Sequence, residues 1–376
     1  MADKPSRGLA DVVAASTAIS DIDGRHGRLF YRGYDIHDLA GSISFEECIH
    51  LLQRGTLPTR AQLEELKEEL RAARQLPPLV EDLLPRVAVR AEPMAAMRTL
   101  VSLLGHEDPD KASNSIEANR RKGLRLVAQL PVLVARYHAA RSGQEAPPDP
   151  DPKLGIAGNF LLQITGKHPD DFEAVSFDEC LVLHADHTMN ASTFSARVTA
   201  ATLSDMHSAI VSAIGTLKGP LHGGANEAVM AMLESIPDVD AVEEAVHQRL
   251  AGGGKIMGFG HRVYRTEDPR ARHLRRMARE LGQRHGFDKY YEMSFRMQQA
   301  VLDERGLYPN VDFYAASTYH ALRIPHDLFT AVFAVSRTAG WTSHVMEQHA
   351  DNRLIRPDSE YIGLRNQTFV PLDERG

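Results

Sequence analysis

The spacing of apolar side chains along most of the chain follows the period of an α-helix. The clearest example lies over residues 59–74, where three leucines form one apolar stripe. Thr59 precedes this stripe and Gln62 follows three residues later, which is the order of a helix capping box. The pattern therefore predicts a helix that begins after Thr59 and ends before Pro77.

The same periodicity recurs from residue 36 onward and is interrupted by glycine, proline or polar segments. These interruptions predict a mostly helical protein with about fifteen helices. Besides residues 59–74, the predicted helical stretches are 94–104, 115–140 with a break or kink at Pro131, 154–164, 177–202, 205–217, 240–250, 270–284, 289–305 and a last long helix from after Pro325 to the late 340s.

A short region near the N-terminus has a different pattern. Residues 16–22 and 29–31 flank Asp23-Gly24, a dipeptide typical of tight hairpin turns. The sequence therefore predicts a minor N-terminal β-hairpin as the main β-structure of an otherwise all-α fold.

Composition narrows the function classes more than it changes the fold. The 376 residues, 43% hydrophobic and 25% charged, are typical of a globular protein with two domains or with one large and one smaller domain. The net charge of −7 argues against a nucleic-acid or membrane-surface partner, because both require a basic face. Cys48 and Cys180 are too few for a disulfide framework or a zinc site. Without an apolar targeting segment at the N-terminus, a cytoplasmic protein is expected.

The most unusual segment is residues 252–270, GGGKIMGFGHRVYRTEDPR, where five glycines stand beside one lysine, one histidine and three arginines. So many glycines predict a loop whose backbone N–H groups and cations approach an anion. A Walker phosphate loop is excluded because Arg249 and Ile256 occupy its outer positions. The dinucleotide fingerprint is excluded because Val263 stands where its third glycine belongs. The segment therefore indicates a different kind of phosphate or carboxylate site.

Two further segments carry histidines. His184 and His187 would share one face if residues 181–187 are helical, but no third ligand is evident, so hydrogen-bonded histidines are favoured over a metal site. His222 precedes two glycines, which leave space for a ligand, and Asn226 is a candidate N-cap of the next helix. A connecting turn with an incidental imidazole explains this second segment equally well.

Asp312 lies in a segment, residues 308–314, that is predicted to be non-helical. Its apolar neighbours would desolvate the carboxyl group, raise its pKa and make it a stronger base once ionised, although a helix cap or a buried ion pair would also explain it. Together with the histidines and with Arg270, Arg337 and Arg356, it suits proton abstraction next to a carbonyl group. The residues alone thus predict carbanion chemistry on an anionic substrate.

Three of these segments resemble the catalytic segments of the citrate synthase family, in the family's order. They are GPLHGGANE from residue 219, GFGHRVYRTEDPR from residue 258 and NVDFY from residue 310. The likeness continues through GRLFYRGYDI (27–36), HADHTMNAS (184–192), VSRTAGW (335–341) and RLIRP (353–357). It implies a nearly all-α homodimer of the short type, with a large domain over residues 1–222 and 324–376 and a small helical domain inserted at 223–323.

The resemblance implies condensation of acetyl-CoA with oxaloacetate and water to give citrate and CoA, the reaction of the tricarboxylic acid cycle, without a cofactor or a metal. Asp312 would remove a methyl proton, His222 would stabilise the enol oxygen, and His261 would polarise or protonate the oxaloacetate carbonyl. The implied oxaloacetate ligands are His187, in second place His184, and Arg270, Arg337 and Arg356, the last from the partner subunit.

The implied CoA contacts begin with residues 255–259. They are Lys255, Ile256, Met257, Gly258, Phe259, Arg262, Arg265 and Asn310. The alternative within the family is 2-methylcitrate synthase, which uses propionyl-CoA, and one methylene is a small difference for a hydrophobic pocket. A non-catalytic binding relative is disfavoured because His222, His261 and Asp312 are all present. Their distribution over both predicted domains implies that domain closure assembles the site.

Overall fold

The computed structural model of the protein describes residues 7–9, 12–144 and 146–375. Within these ranges the chain is mostly helical, as its periodicity predicts, with sixteen α-helices and short 3₁₀ turns. The helices are α1 (Ile36–Leu39), α2 (Phe45–Arg54), α3 (Arg60–Ala73), α4 (Pro78–Ala88), α5 (Pro93–Glu107), α6 (Ile116–Arg141), α7 (Ile156–Thr165), α8 (Asp171–His184), α9 (Ala191–Ala201), α10 (Met206–Leu217), α11 (Ala225–Glu234), α12 (Val242–Ala251), α13 (Pro269–His285), α14 (Asp288–Arg305), α15 (Val311–Ala321) and α16 (Phe329–Ala350).

One small antiparallel sheet precedes the helices. Its strands are β1 (Ser20–Asp23), β2 (Arg28–Tyr31) and β3 (Tyr34–Asp35), in the order β1-β2-β3. β1 and β2 pair around the Asp23-Gly24 turn, with Ser20 opposite Tyr31. The predicted hairpin is therefore confirmed, and a two-residue third strand extends it.

The capping signal at the start of α3 is confirmed. The Thr59 side chain accepts a hydrogen bond from the backbone N–H of Gln62, and the Gln62 side chain accepts one from the N–H of Thr59, at 2.9 Å. This reciprocal pair is the predicted capping box of α3. Leu66 and Leu70 of the predicted stripe are buried.

Helix α16 lies at the centre of the fold. Its residues are buried almost without interruption from Phe329 to Val345, and it packs against α2, α6, α8, α9 and α10. α6, the longest helix, continues through Pro131. The predicted break there is wrong, because packing of α6 against α3, α4 and α16 keeps the turns on both sides of the proline helical, and the alternative of a kink stays a prediction.

The predicted helix over residues 177–202 is also wrong as one element. α8 ends at His184 and α9 begins at Ala191. The segment between them contains no glycine or proline, but Thr188 has a φ of 48°, which an α-helix does not allow. Its N–H donates at 3.1 Å to the buried carboxylate of Asp186, so a side-chain hydrogen bond replaces the helical one.

Two helix starts differ from their predictions. α11 begins at Ala225 with Gly224 as its N-cap, so Asn226 is not the cap but a buried residue of the first turn. α15 begins at Val311, so the prediction of a non-helical segment over residues 308–314 is wrong. The Asn310 side chain accepts a hydrogen bond from the N–H of Asp312 at 3.1 Å and caps this helix.

The five helices from α11 to α15 pack mainly against one another. α13 packs against α14 and α15, and α12 packs against α14. Contacts with the remaining helices run from α11 to α16 and from α13 to α1 and α8. The small domain predicted over residues 223–323 contains these five helices, and its boundaries stay a prediction. None of the helices in the described part of the chain has both the length and the apolar character that crossing a membrane requires.

Candidate active site

The loop after α8 carries the first two candidate residues. His184 is the last residue of α8 and His187 lies in the loop, so the predicted shared helix face is wrong. His184 is fully buried and its Nδ1 donates to the Cys180 carbonyl at 2.8 Å. Burial, and next the charge of Arg270, lower the pKa of His184 to about 3, so its ring is neutral. Within the described ranges, no group of three His, Cys, Asp or Glu residues is arranged to hold a metal ion.

His187 lies at the meeting point of the candidate groups. Its Nε2 is 3.2 Å from the Tyr264 hydroxyl, and its ring centroid is 5.3 Å from that of His261. Its pKa is well below the usual value, first because of burial and then because of the positive charge of Arg270, and the nearby His261, Arg337 and His222 lower it further. Residues predicted from three other segments therefore lie within electrostatic reach of this imidazole.

Asp186 holds in place the loop between α8 and α9, which carries His187. Its carboxylate accepts hydrogen bonds from the Ser20 hydroxyl and the Thr188 N–H, and it lies 3.3 Å from His344 Nε2. Its pKa is lowered although burial opposes this, because His344 and other donors favour the ionised form. A buried carboxylate with several donors fixes the loop against α16.

His222 lies in the turn between α10 and α11, as predicted, and is half-buried. Its Nε2 is 2.8 Å from the Ser192 hydroxyl, which also accepts a hydrogen bond from Trp341 Nε1 at 3.2 Å. The Ser192 hydroxyl lies 2.8 Å from Asn190 Oδ1. Burial, and next the charge of Arg337, lower the pKa of His222 to about 4, so the ring is neutral near pH 7.

The glycine-rich loop is held by a short ladder to the segment before α15. Gly260 N–H donates to the Tyr308 carbonyl and Asn310 N–H donates to the Gly258 carbonyl, each at 2.9 Å. Gly258 has a φ of 81°, and a Cβ there would collide with Val229 and Phe313. This ladder ties the segment that carries His261 to the helix that carries Asp312.

His261 follows that ladder directly. Its Nδ1 accepts hydrogen bonds from the backbone N–H groups of Val263 at 2.9 Å and Tyr264 at 3.1 Å. Burial lowers the pKa of His261 to about 4. Because Nδ1 is an acceptor and the ring is neutral, the proton lies on Nε2, which is available as a donor.

Asp312 lies in the first turn of α15. Its Oδ1 is buried and has no hydrogen-bond partner among the described residues. Burial raises the pKa of Asp312 to about 7, against the charges of Arg270 and Arg337 and with that of Asp268. The predicted desolvation of this carboxyl group is supported, and the role of Asp312 as a base stays a prediction.

Two arginines are buried below these groups. Arg270 donates two hydrogen bonds to the Asp268 carboxylate, from Nε to Oδ1 at 2.9 Å and from Nη2 to Oδ2 at 2.7 Å. Its pKa is raised against the effect of burial, because Asp268 favours the charged form. Arg337 donates from Nε to the His184 carbonyl at 2.7 Å and lies over the Phe333 ring. Burial lowers the pKa of Arg337 to about 10, so both guanidinium groups are charged.

Arg356 is not brought to this site within one chain. It lies in the extended C-terminal segment with 74% of its side chain exposed, and it pairs with Asp358 at 2.6 Å. The predicted role for Arg356 required a partner subunit and stays a prediction.

The predicted CoA residues differ in their surroundings. Lys255 and Arg265 are exposed, Ile256 is buried, and Met257 and Phe259 are half-buried beside Gly258. The Arg262 guanidinium donates to the Gly8 carbonyl at 3.1 Å, and the Asn310 amide donates to the Gly260 carbonyl at 3.1 Å. No contact with CoA follows from these positions, and the set stays a prediction.

Sequence reasoning gave no role to several residues that hold the site together: Ser192, Tyr264, Asp268 and Trp341. Only Asp268 had a local signal, because Asp-Pro-Arg places an N-cap, a first-turn proline and the arginine in order. The others act across 30, 77 and 149 residues of sequence, so no local pattern indicated them.

Comparison with known proteins gives a consistent result. A family model described as citrate synthase, C-terminal domain, matches residues 8–358. The chain is 49% identical to citrate synthase 2 of Bacillus subtilis, over 98% of this chain and 99% of that protein. It is 47% identical to the citrate synthase of Haloferax volcanii over the whole of both chains. The 2-methylcitrate synthase of Shewanella oneidensis is 39% identical, over 98% and 97% of the two chains.

Solved structures agree with these relatives. The crystal structure of citrate synthase from Pyrobaculum aerophilum superposes with a TM-score of 0.91 at 38% identity, and covers 98% of this chain and 95% of that one. The ternary complex of the Thermoplasma acidophilum citrate synthase with carboxymethyl coenzyme A and oxaloacetate has a TM-score of 0.92 at 31% identity, and covers 99% of this chain and 100% of that one.

Proposed function

The chain belongs to the citrate synthase family, and we infer that it condenses acetyl-CoA with oxaloacetate and water to give citrate and CoA. The observation that carries this conclusion is the group of His222, His261 and Asp312 around two buried arginines. The assignment of each step to a residue is our proposal, and so is the place of this reaction in a cytoplasmic tricarboxylic acid cycle.

Asp312 begins the reaction by taking a proton from the methyl carbon of acetyl-CoA. Its carboxyl pKa of about 7 is close to the working pH, where a general base is both ionised and basic enough. Its buried Oδ1 has no donor among the described residues, so no protein hydrogen bond must be broken when it receives the proton.

His222 stabilises the oxygen of the resulting enol. A neutral imidazole with one N–H can donate a single hydrogen bond to that oxygen, and the pKa of about 4 keeps the ring neutral. When the Ser192 hydroxyl donates to Nε2, at 2.8 Å, instead of to Asn190 Oδ1, the ring proton lies on Nδ1, which then donates to the substrate oxygen.

His261 acts on the second substrate. The enol carbon attacks the keto carbon of oxaloacetate, the carbonyl electron pair moves to its oxygen, and His261 Nε2–H supplies a proton to that oxygen. The two backbone N–H groups that bind Nδ1 orient the ring for this transfer. Water then hydrolyses the thioester of the condensed product and releases the CoA thiol.

Oxaloacetate carries two carboxylates, which we place against Arg270, Arg337 and His187. Guanidinium groups bind carboxylates through two parallel hydrogen bonds, and their burial excludes water from the reacting atoms. His184, whose buried Nε2 lacks a donor among the described residues, has the weaker claim because its Nδ1 is already bound to the Cys180 carbonyl.

We propose that the enzyme is a homodimer in which Arg356 completes the partner's site. The C-terminal segment that contains Arg356 exposes several large apolar side chains, which an isolated chain would leave in water. These are Leu354, Tyr361, Ile362, Leu364 and Phe369. Covering them with a second subunit would bury the segment and bring a further arginine to the carboxylates.

We place CoA along the glycine-rich loop. Its proposed contacts are residues 255–259 and Asn310, with the exposed Arg265 and the Arg262 guanidinium near its phosphates. Closure of the small domain over the large one would then bring the acyl group to His222.

Release of the CoA thiol with oxaloacetate and either acetyl-CoA or propionyl-CoA tests this function. We expect kcat/KM to favour acetyl-CoA by roughly 10–200-fold, the range that one methylene allows in a hydrophobic pocket. A reversed preference would identify a 2-methylcitrate synthase, the activity named for the Shewanella oneidensis relative. No thiol release with either substrate would overturn the proposal.

A further inference from the structure

A cleft on the predicted large domain has no part in the reaction described above. It lies between α3, α6 and the start of α7, encloses about 100 Å³, and none of the proposed active-site residues lines it. Its apolar floor comes from α3, α6 and α7: Leu70, Ala128, Pro131, Val132, Ile156 and Phe160.

Four cations line this cleft. Lys67, Arg71 and Arg74 are at positions i, i+4 and i+7 of α3 or its C-cap, which places them on one helix face, and Lys153 approaches from the segment before α7. Lys67 and Arg71 each pair with an exposed glutamate of α3. Among the described residues, neither Arg74 nor Lys153 has a carboxylate within ion-pair distance. Two positive charges of the cleft are therefore left for a ligand.

Without a bound ligand, Arg74 is in an unfavourable environment. It is half-buried, and its pKa is lowered first by burial and then by the charge of Arg71. Glu46, which is buried in the cleft wall, raises the pKa of Arg74 but does not cancel these two effects. An anion between the two guanidinium groups would relieve their repulsion.

The end of the cleft at α7 provides a different contact. Asn159 is 5% exposed, and its Nδ2 donates to three backbone carbonyls, those of residues 151, 154 and 155. This fixes the orientation of the amide, and Oδ1 is left buried without a donor. A buried acceptor without a donor is costly, so a ligand that fits here would carry an O–H group as well as negative charge.

The start of α7 also lines the cleft, but it supplies no free donor there, because the Ile156 N–H donates to Glu46 Oε1 at 2.7 Å. From the two cations left unpaired by the described residues and the Asn159 acceptor together, we propose that this cleft binds a phosphate group that retains one O–H, either hydrogen phosphate or a small phosphate monoester.

Isothermal titration of the full-length protein with inorganic phosphate tests the site, with saturating oxaloacetate present to occupy the active site. We expect one phosphate per chain. The double variant Arg71→Gln/Arg74→Gln should weaken binding by at least about tenfold, because hydrogen bonds to charged groups are lost. The matched control is Arg136→Gln, which removes a surface arginine of α6 that pairs with Glu81 and does not line the cleft. It should leave the phosphate affinity unchanged.

Three further titrations sharpen the result. Sulfate, which has no O–H at neutral pH, should bind about tenfold or more weakly than phosphate if Asn159 Oδ1 accepts from the ligand. Glycerol phosphate should bind more tightly than phosphate if the apolar floor contacts the carbon part of an ester, and equally or less tightly if hydrogen phosphate is the ligand. Asn159→Asp should weaken phosphate binding by placing a negative charge in the cleft. Equal phosphate affinity in the native protein and the double variant, or no phosphate binding at all, would overturn the proposal.

Discussion

The candidate active site has two regions, which differ in whether the protein provides partners for their polar groups. We call the first the arginine floor, and it consists of Asp268, Arg270 and Arg337. Asp268 and Arg270 make a fully buried two-point pair, and Arg337 donates to a backbone carbonyl and lies over an aromatic ring. Asp268 and Arg270 favour each other's charged forms, and Arg337, whose pKa burial lowers to about 10, is still charged near pH 7.

We call the second region the catalytic rim, and it consists of His222, His261 and Asp312. His222 and His261 each have one ring nitrogen engaged by the protein, and Asp312 has a buried Oδ1 without a partner among the described residues. Their pKa values move toward the neutral form, to about 4 for the two imidazoles and to about 7 for the carboxyl group. Satisfied charges suit binding, whereas desolvated and unsatisfied groups suit proton transfer.

The largest expected effect is at the rim. Asp312→Asn keeps the size of the side chain but removes the base, so kcat should fall by about 10²–10⁴-fold. Oxaloacetate binding should change little, because the arginine floor is intact. Thiol-release kinetics and oxaloacetate titration measure the two effects separately.

Asp288→Asn is the matched control for this variant. Asp288 also lies in the first turn of a helix, α14, but it is exposed and distant in sequence from every site residue. Its replacement should leave kcat unchanged. Equal turnover of Asp312→Asn and the native enzyme would contradict the division between floor and rim.

The next effect is at the floor. Asp268→Asn leaves the buried Arg270 without its counter-charge, and breaking a buried pair in this way costs about 3–5 kcal/mol of unfolding free energy. Saturating oxaloacetate should restore part of this loss, because a substrate carboxylate can pair with Arg270. Denaturant unfolding with and without oxaloacetate measures both.

The neighbouring Glu267 offers the control. It pairs with Arg275 at 2.6 Å, with both side chains more than a quarter exposed. Glu267→Gln should therefore cost no more than about 1 kcal/mol of unfolding free energy. If Asp268→Asn cost no more than this control, the floor could not be described as a buried, protein-satisfied region.

Much of the fold could be predicted from sequence because helical periodicity and capping are local. The capping box at Thr59 and Gln62 and the turn at Asp23-Gly24 were correct for this reason. The end of α8 could not be predicted, because the bonds that replace the helix at Thr188 come from Asp186 and from Ser20 of the first strand.

In the candidate site, too, the residues with a local sequence signal could be predicted and those that depend on long-range contacts could not. His222, His261 and Asp312 stand in glycine-interrupted or helix-end segments that a sequence pattern can indicate. Ser192 and Trp341 have no such signal. Ser192 lies in the first turn of α9 and Trp341 in the middle of α16, and their contacts with His222 and with each other form only when the helices pack together. The helical start at Asp312 was missed although Asn310, a preferred N-cap residue, stands two positions before it.

The smallest expected effect is a change in pH dependence, and it connects the two regions. Asp312 must be ionised to act as a base, so kcat/KM for acetyl-CoA should rise with pH and level off above its pKa of about 7. His222 and His261 stay neutral over this range, because their pKa values of about 4 lie below it, so they add no second transition.

Asp268→Asn should move this transition to lower pH. In the native protein the negative charge of Asp268 raises the pKa of Asp312, whereas the charge of Arg270 lowers it. The variant removes the first influence and leaves the second without compensation, so both changes favour the ionised carboxylate. The profile of kcat/KM for acetyl-CoA, recorded for the native enzyme, Asp268→Asn and Glu267→Gln, measures the shift. A midpoint that stays the same or rises in Asp268→Asn would mean that Asp268, in the arginine floor, does not raise the pKa of Asp312 in the catalytic rim.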